Sequence, residues 1–145
     1  MLLDTSVVIA YLDPDDRATA VAGAVIDGLV RSGRNPGLIS MVTVTEVLVG
    51  PARSGDREVY AEVVDFLTQL PGLRLREIDF RVAERAATLR ARLGLRAADA
   101  LIVATGVAAG VGRIVSNDRD WATRLRSAEV PATVVLLDDH LPFSA

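Results

Sequence analysis

The sequence predicts a three-layer α/β/α domain with a parallel sheet of about five strands. Short apolar segments alternate with longer helical ones from one end of the chain to the other, and helices rather than tight hairpin turns separate the strands. Buried parallel strands are short apolar runs, and helices join them across both faces of the sheet. The chain has 145 residues, a usual size for one domain, so we expect a single domain over residues 1–145.

The predicted elements follow in a regular order. Strands are predicted at residues 1–3, 38–40, 73–78, 113–116 and 133–137, and helices at 5–11, 17–30, 43–49, 56–70, 79–93, 97–109 and 120–125. The helix at 43–49 is expected to stop at Gly50-Pro51, because proline disfavours a helix interior. The helix at 97–109 is nearly all small or apolar, which predicts a central, buried position.

The composition narrows the possible chemistry. The chain has no cysteine, which excludes disulfides, thiolate metal sites and cysteine nucleophiles. A single histidine, His140, argues against a histidine-based zinc site and against a Ser-His-Asp triad. Any catalysis must therefore come from carboxylates and hydroxyls.

Charge and hydropathy bear on partners and location. The formal net charge of −3 does not indicate a surface that binds nucleic acid as a whole. The first residues lack the basic segment and apolar run of a signal peptide, and no apolar stretch reaches the roughly 20 residues that span a bilayer. We expect a soluble, cytoplasmic protein with no membrane association.

Four acidic residues fall at or near the predicted carboxyl ends of strands, where functional groups gather in open parallel sheets. These are Asp4 after the first strand, Glu46 in the helix after the second, Asp99 at the start of the apolar helix, and Asp118 after the fourth strand. Each also has a purely structural explanation. Asp4 and Asp118 are in capping or turn contexts, Asp99 complements a helix dipole, and Glu46 lies on a solvent-facing side.

Together the acids predict a metal site. Carboxylates that lie close together repel one another and raise their own pKa values unless a cation neutralises them. A site with oxygen ligands alone prefers Mg²⁺ or Mn²⁺, which suits hydrolysis of a phosphodiester. Asp4, Glu46, Asp99 and Asp118 are the catalytic candidates, with Asp4, Asp99 and Asp118 as metal ligands. Supporting hydrogen bonds are expected from Thr5, Ser6, Ser116, Asn117 and Asp120.

Four segments resemble the motifs of PIN-domain proteins. They are Leu-Leu-Asp-Thr-Ser at residues 2–6, Ile39-Ser40 through Thr43 to Glu46, Ala-Ala-Asp-Ala-Leu at 97–101, and Val-Ser-Asn-Asp-Arg-Asp-Trp at 115–121. The compact form is similar to VapC-type toxins of toxin–antitoxin pairs. The resemblance implies an Mg²⁺- or Mn²⁺-dependent ribonuclease, neutralised by a cognate antitoxin and usually dimeric, and gives the acidic roles to the four acids above.

The fourth motif departs from the family in two places. Ser116 stands where Thr is commoner, and Trp121 where Phe is commoner; neither change removes a metal ligand. Asp118 and Asp120 compete for the place nearer the metal. We favour Asp118, because it lies nearer the strand end.

The sequence fits a phosphatase or a nucleotide-binding module less well than a nuclease. A haloacid-dehalogenase-type phosphatase needs Asp-x-Asp after the first strand, and Ser6 stands at the second position. No Gly-x-Gly-x-x-Gly or Gly-Lys-Ser/Thr loop follows that strand, which disfavours a nucleotide-binding module. A PIN-fold RNA-binding or RNA-processing protein that is not a toxin remains the alternative.

Two surfaces carry further predictions. Arg81, Arg85, Arg92 and Arg96 lie at helical spacing and form either a phosphate-contacting stripe or an ordinary solvated face. The apolar helix from Val59 to Leu70 is expected to pack against a second copy of the chain in a twofold dimer. An antitoxin segment is expected over the acidic pocket, where one of its basic side chains pairs with the carboxylates.

Overall fold

A five-stranded, fully parallel sheet organises the chain, as the sequence predicted. The computed structural model describes residues 1–128 and 130–141. The strands are β1 (Leu2–Leu3), β2 (Gly37–Ser40), β3 (Leu73–Arg76), β4 (Arg113–Ser116) and β5 (Thr133–Leu136), in the order β3-β2-β1-β4-β5. The shortest strand is therefore the central one.

Helices connect the strands and cover both faces of the sheet. They are α1 (Thr5–Leu12), α2 (Thr19–Val25), α3 (Met41–Ser54), α4 (Arg57–Gln69), α5 (Phe80–Leu93), α6 (Ala97–Ala108) and α7 (Arg119–Ser127). A π-helical segment, Ile26–Arg31, continues α2, and a 3₁₀ turn, Leu137–His140, follows β5. Within residues 1–128 and 130–141, no helix has both the length and the apolar character that crossing a membrane requires.

Alternation along the strands divides the buried side chains into two cores. Leu3 and Val115 pack with residues of α1–α4, whereas Leu2 and Ile114 pack with residues of α5–α7. Successive side chains of a strand point to opposite faces, so adjacent residues of β1 and β4 serve different cores. This arrangement gives the predicted α/β/α layers. As expected, α6 is central, with a run of buried residues from Ile102 to Gly106.

Helix α3 does not end where the sequence predicted. It continues through Pro51 to Ser54 and ends at Gly55, whose left-handed φ of 71° closes the helix. The residue before a proline is usually kept out of the helical region by a clash between the proline ring and its Cβ. Gly50 has no Cβ, which relieves this clash, and Pro51 then removes one backbone donor without ending the helix.

Smaller differences arise from side-chain caps. Helix α2 begins at Thr19 rather than near Arg17, because the Asp16 carboxylate accepts the Ala18 N–H at 2.7 Å and holds a turn there. Strand β3 ends at Arg76, since Asp79 already caps α5 by accepting the Val82 N–H at 2.8 Å. Asx turns of this kind compete with regular helix and strand geometry.

The chain order creates a switch point at the centre of the sheet. From β1 the chain builds outward through β2 and β3, and then returns to place β4 on the other side of β1. In open parallel sheets, ligands bind beyond the carboxyl ends of the strands at such a point. Here the position lies after Leu3 and Ser116, where Asp4 and the segment 117–118 begin.

Substitution at Gly72 is expected to cost more stability than at any glycine in open space. Gly72 has a φ of 79°, and a Cβ there would lie 2.3 Å from the Val30 carbonyl oxygen. The left-handed conformation alone costs an alanine about 1–2 kcal/mol. Gly72→Ala should exceed that loss in urea unfolding, because the α4–β3 turn or the Val30 backbone must also move. Gly55→Ala, with φ of 71° and no atom within 4 Å, is the matched control; equal losses in the two variants would contradict this account.

Candidate active site

Asp4 is the most buried of the predicted acids. It follows β1 and caps α1, and its side chain accepts the Thr5 N–H at 2.7 Å. Its other oxygen, Oδ2, accepts the hydroxyls of Ser6 at 2.8 Å and Ser116 at 2.7 Å. The residue is 6% exposed. The carboxylate is therefore fixed by β1, α1 and β4 together, and its capping role accompanies a contact across the switch point.

The environment of Asp4 opposes its ionisation. Burial raises the pKa of the carboxyl above its ordinary value, the hydrogen bonds from Ser116, Ser6 and Thr5 lower it in part, and the charge of Glu46 raises it again. Removing a carboxylate from water disfavours the charged form. A cation beside Asp4 would reverse this effect, because it stabilises the ionised carboxylate.

Glu46 reaches the site from α3. The Thr5 hydroxyl donates to Glu46 Oε2 at 2.5 Å and lies 3.4 Å from the hydroxyl of buried Thr43. Thr5 belongs to α1, directly after Asp4, so it ties the second motif to the first. Glu46 itself is exposed.

Asp99 lies in the first turn of α6 and is held by an arginine. Arg96 Nε donates to Asp99 Oδ2 at 2.9 Å, and the two side chains are 84% and 16% exposed. The pKa of Arg96 is raised, first by its hydrogen bond with Asp99 and further by the charges of Asp99, Asp118 and Glu46. One guanidinium thus stands among three of the four predicted acids. Its exposure means that water screens these attractions.

The fourth motif places its two acids differently. Asp118 caps α7, its Oδ1 accepting the N–H groups of Asp120 at 2.8 Å and Trp121 at 3.3 Å. Asp120 is 61% exposed and pairs with Arg124 at 2.6 Å. The backbone of α7 therefore fixes the Asp118 carboxylate, whereas the Asp120 carboxylate forms an exposed ion pair with Arg124.

A single cavity of about 740 Å³ brings these residues together at the carboxyl ends of β1 and β4. All four predicted acids line it, as do Thr5, Ser6, Asn117 and Asp120; its remaining lining residues are Ile9, Arg96, Arg119, Trp121 and Asp138. Ser116 is buried beneath it, where it contacts Asp4 and accepts the Asp118 N–H at 3.0 Å. The Asn117 N–H donates to Ser6 Oγ at 3.0 Å. Every residue assigned to the site from sequence thus lies in this cavity or contacts a residue that does.

A sixth carboxylate in the cavity wall was not predicted from the sequence. Asp138 lies in the 3₁₀ turn after β5, pairs with Arg17, and donates its backbone N–H to Asn117 Oδ1 at 3.1 Å. The pair Asp138-Asp139 stood outside any recognised motif, and only the position of β5 beside β4 brings it near. The signal that could have found it is an acid directly after the fifth strand.

The chemistry of the cavity residues suits a hard cation, but the spacing of their carboxylates does not. The cavity offers carboxylate and hydroxyl oxygens, the donors that Mg²⁺ and Mn²⁺ prefer. One of its lining residues, Asp138, carries a buried carboxylate oxygen, Oδ1, without a partner in the described part of the chain. Across residues 1–128 and 130–141, however, no three His, Cys, Asp or Glu side chains are arranged to hold a metal ion. A metal would have to draw the carboxylates together, and Asp99 would have to exchange its contact with Arg96.

Comparison with known proteins identifies the family of the chain. The family model described as PIN domain matches residues 1–125. No curated protein sequence matches the chain.

Several solved structures share the fold. FitAcB from Neisseria gonorrhoeae is 24% identical with a TM-score of 0.71, and a toxin–antitoxin complex from Klebsiella pneumoniae is 22% identical with a TM-score of 0.68. In both comparisons the match covers 94% of this chain and 96% of the other. VapBC2 from Rickettsia felis, bound to a DNA fragment from its promoter, is 16% identical with a TM-score of 0.69, over 93% of this chain and 96% of the other. At these identities the similarity is one of fold.

Asp4→Asn is expected to leave stability equal or higher at neutral pH. Because the folded state raises the pKa of Asp4, it holds that proton more tightly than the unfolded chain does. The wild type should therefore gain stability relative to Asp4→Asn as the pH falls from 7 towards about 4, where Asp carboxyls ordinarily titrate. Urea unfolding at several pH values measures the difference. Asp65→Asn on the exposed side of α4 is the control. A loss of about 1–3 kcal/mol at pH 7 would instead indicate a purely structural carboxylate.

Proposed function

Because the chain belongs to the PIN-domain family, we propose that it is an Mg²⁺- or Mn²⁺-dependent endoribonuclease that acts in the cytoplasm as the toxin of a type II toxin–antitoxin pair. One observation carries the proposal. Asp4, Glu46, Asp99 and Asp118 come from four separate segments of the chain and line one cavity at the switch point of the sheet. N-capping accounts for the positions of Asp4 and Asp118. It does not account for Glu46 and Asp99, which lie within α3 and α6 and are not the N-caps of those helices.

In this proposal Asp4, Asp99 and Asp118 hold the metal, and Glu46 completes the acidic set. The bound ion would generate hydroxide from water and offset the charge that develops on the phosphate. The chain's own groups provide orientation. Ser6 and Ser116 fix the Asp4 carboxylate, and the Thr5 hydroxyl holds Glu46. Asp118 is favoured over Asp120 because the α7 backbone fixes it and no ion pair occupies it.

Arg96 is the resident counter-ion of this site. Its contact with Asp99 and its attraction to Asp118 and Glu46 reduce carboxylate repulsion in the metal-free protein. To hold a metal ion, Asp99 would have to give up this contact and release the guanidinium. Guanidinium groups bind phosphate oxygens through parallel hydrogen bonds, so the displaced Arg96 is well placed to receive the substrate phosphate.

The same electrostatic argument supports the binding of an antitoxin to the acidic cavity. The structures of similar fold include toxin–antitoxin complexes. We propose that a cognate antitoxin covers the acidic cavity and inserts a basic side chain that pairs with the carboxylates, as Arg96 does within this chain. Such a side chain competes with the metal for the same oxygens. Growth arrest on expression, relieved by the antitoxin, would support the toxin role; RNA cleavage without growth arrest would favour an RNA-processing protein.

Helices α3 and α4 are proposed to form a twofold dimer. Val49, Val59 and Tyr60 are 40%, 42% and 38% exposed on these helices, where apolar side chains gain by leaving water. Val59→Glu is expected to shift the protein to monomer in sedimentation velocity at micromolar concentration, because dimerisation would bury its charge. Ala83→Glu on exposed α5 is the control. A wild type that sediments as a monomer throughout this range would refute the dimer.

Removal of any one of three acids is expected to abolish cleavage without unfolding the chain. Asp99→Asn and Glu46→Gln should lower the rate of single-stranded RNA cleavage by about 10²-fold or more, because the metal no longer stabilises the transition state. Asp118→Asn should act likewise, with Asp120→Asn milder. Mn²⁺ should raise the melting temperature of the wild type by mass action and that of Asp99→Asn by less.

The control for this series is Asp65→Asn, which removes an equal charge from exposed α4 and should match the wild type in both measurements. Two results would refute the proposal. One is cleavage that persists in EDTA, and the other is acid variants that lose stability yet cut RNA at the wild-type rate.

A further inference from the structure

Helix α5 is a basic surface on an acidic protein. It carries four arginines and one glutamate, while the whole chain has a net charge of −3. The arginines are Arg81, Arg85, Arg90 and Arg92, all of them exposed. Among the described residues, none of the four lies within ion-pair distance of a carboxylate. Like charges three and four residues apart destabilise a helix, so this face is incompletely compensated within the chain.

Three of these arginines line one cavity. Arg81, Arg85 and Arg92 border a space of about 470 Å³, together with Glu84 and Thr88 of the same helix. Its other wall is largely apolar, formed by Leu89, Val107, Ala128, Val130 and Pro131. A cationic rim opposite an apolar wall suits a ligand that presents both anionic groups and flat apolar surfaces.

The C-terminal end of α5 lies near the acidic cavity. Two residues after Arg92, Gly94 lines a smaller cavity of about 310 Å³ that also contains Arg96, Asp99 and Asp118. Those last three residues line the acidic cavity as well. Arg124 supports the junction, because its Nη1 donates to the Leu93 carbonyl at 2.7 Å. The C-terminal end of the arginine face, at Arg92, is therefore two residues from the cavity that contains Asp99 and Asp118, whereas Arg81 and Arg85 lie further from it along α5.

We propose that the face of α5 formed by Arg81, Arg85 and Arg92 binds the backbone phosphates of single-stranded RNA next to the cleavage site. This inference rests on the proposed ribonuclease function. Arg81 and Arg92 are about 16 Å apart along the helix axis, which extends the contact over several nucleotides. Phosphates pair with the guanidinium forks, and bases can lie against the apolar wall. An acidic protein would pair with the arginines of α5. It would not explain why this face of α5 ends near the carboxylates of the proposed metal site.

The test measures binding of a fluorescein-labelled single-stranded RNA in EDTA, where no divalent cation is present to support cleavage. Fluorescence anisotropy across a salt series is compared for the wild type, the triple variant Arg81→Gln/Arg85→Gln/Arg92→Gln, and a charge-matched control. The control is Arg34→Gln/Arg74→Gln/Arg113→Gln, three exposed arginines outside the basic and acidic cavities. Each lost phosphate contact should reduce the slope of log K against log salt by about 0.7, so the α5 variant should lose about two units.

Three further measurements keep the test decisive. The α5 variant should raise KM for cleavage of single-stranded RNA while kcat and Mn²⁺ binding stay at wild-type levels. Lysine at the same three positions should restore most of the salt slope. If the α5 variant binds RNA as the control does, or if polyglutamate binding falls as much as RNA binding, the inference is overturned while the ribonuclease activity stands. A wild type that neither binds nor cuts RNA would overturn the proposed function itself.

Discussion

The buried carboxylate of Asp4 is the constraint on which the site depends. Its Oδ2 accepts hydroxyls from Ser6 and Ser116, and its Oδ1 accepts the first N–H of α1. These contacts join the central strand, its neighbour β4 and the helix that follows β1. The same contacts leave a carboxylate away from water, with its pKa raised by burial and by Glu46. One position therefore joins three elements of the fold and holds a carboxylate that a nearby cation would stabilise.

Acidic and basic side chains are concentrated on different parts of the molecule. The carboxyl ends of β1 and β4 carry acids, while α5 carries arginines and α6 is nearly uncharged between them. Arg96 stands at the boundary and neutralises Asp99. A polyanionic substrate is repelled by bare carboxylates, so it needs both a cation in the acidic cavity and a basic surface beside it. The net charge of the chain conceals this separation, because it averages the two regions.

Asp138 shows how the second half of the sheet completes the site. It belongs to no recognised motif, yet its N–H holds the Asn117 amide oxygen, and Asn117 in turn donates to Ser6. The order β1-β4-β5 places the ends of three strands in a row. Asn117 thus links the turn after β5 to Ser6, whose hydroxyl fixes Asp4. Support for the first motif comes from a segment more than a hundred residues away.

The sequence by itself determined the alternation of strands and helices, the parallel sheet and the acidic residues worth considering, because apolar periodicity and capping residues are local signals. It also predicted the end of α3 wrongly, since the Gly50 that lets the helix continue through Pro51 looks locally like a break. Tertiary structure decided the features that depend on strand order. It decided which acids share a cavity, that Arg96 forms an ion pair with Asp99, and that Asp138 lines the same cavity. It also decided that Arg81, Arg85 and Arg92 face one cavity. Helical spacing shows that side chains share a face, but what that face borders is set by the packing of distant segments.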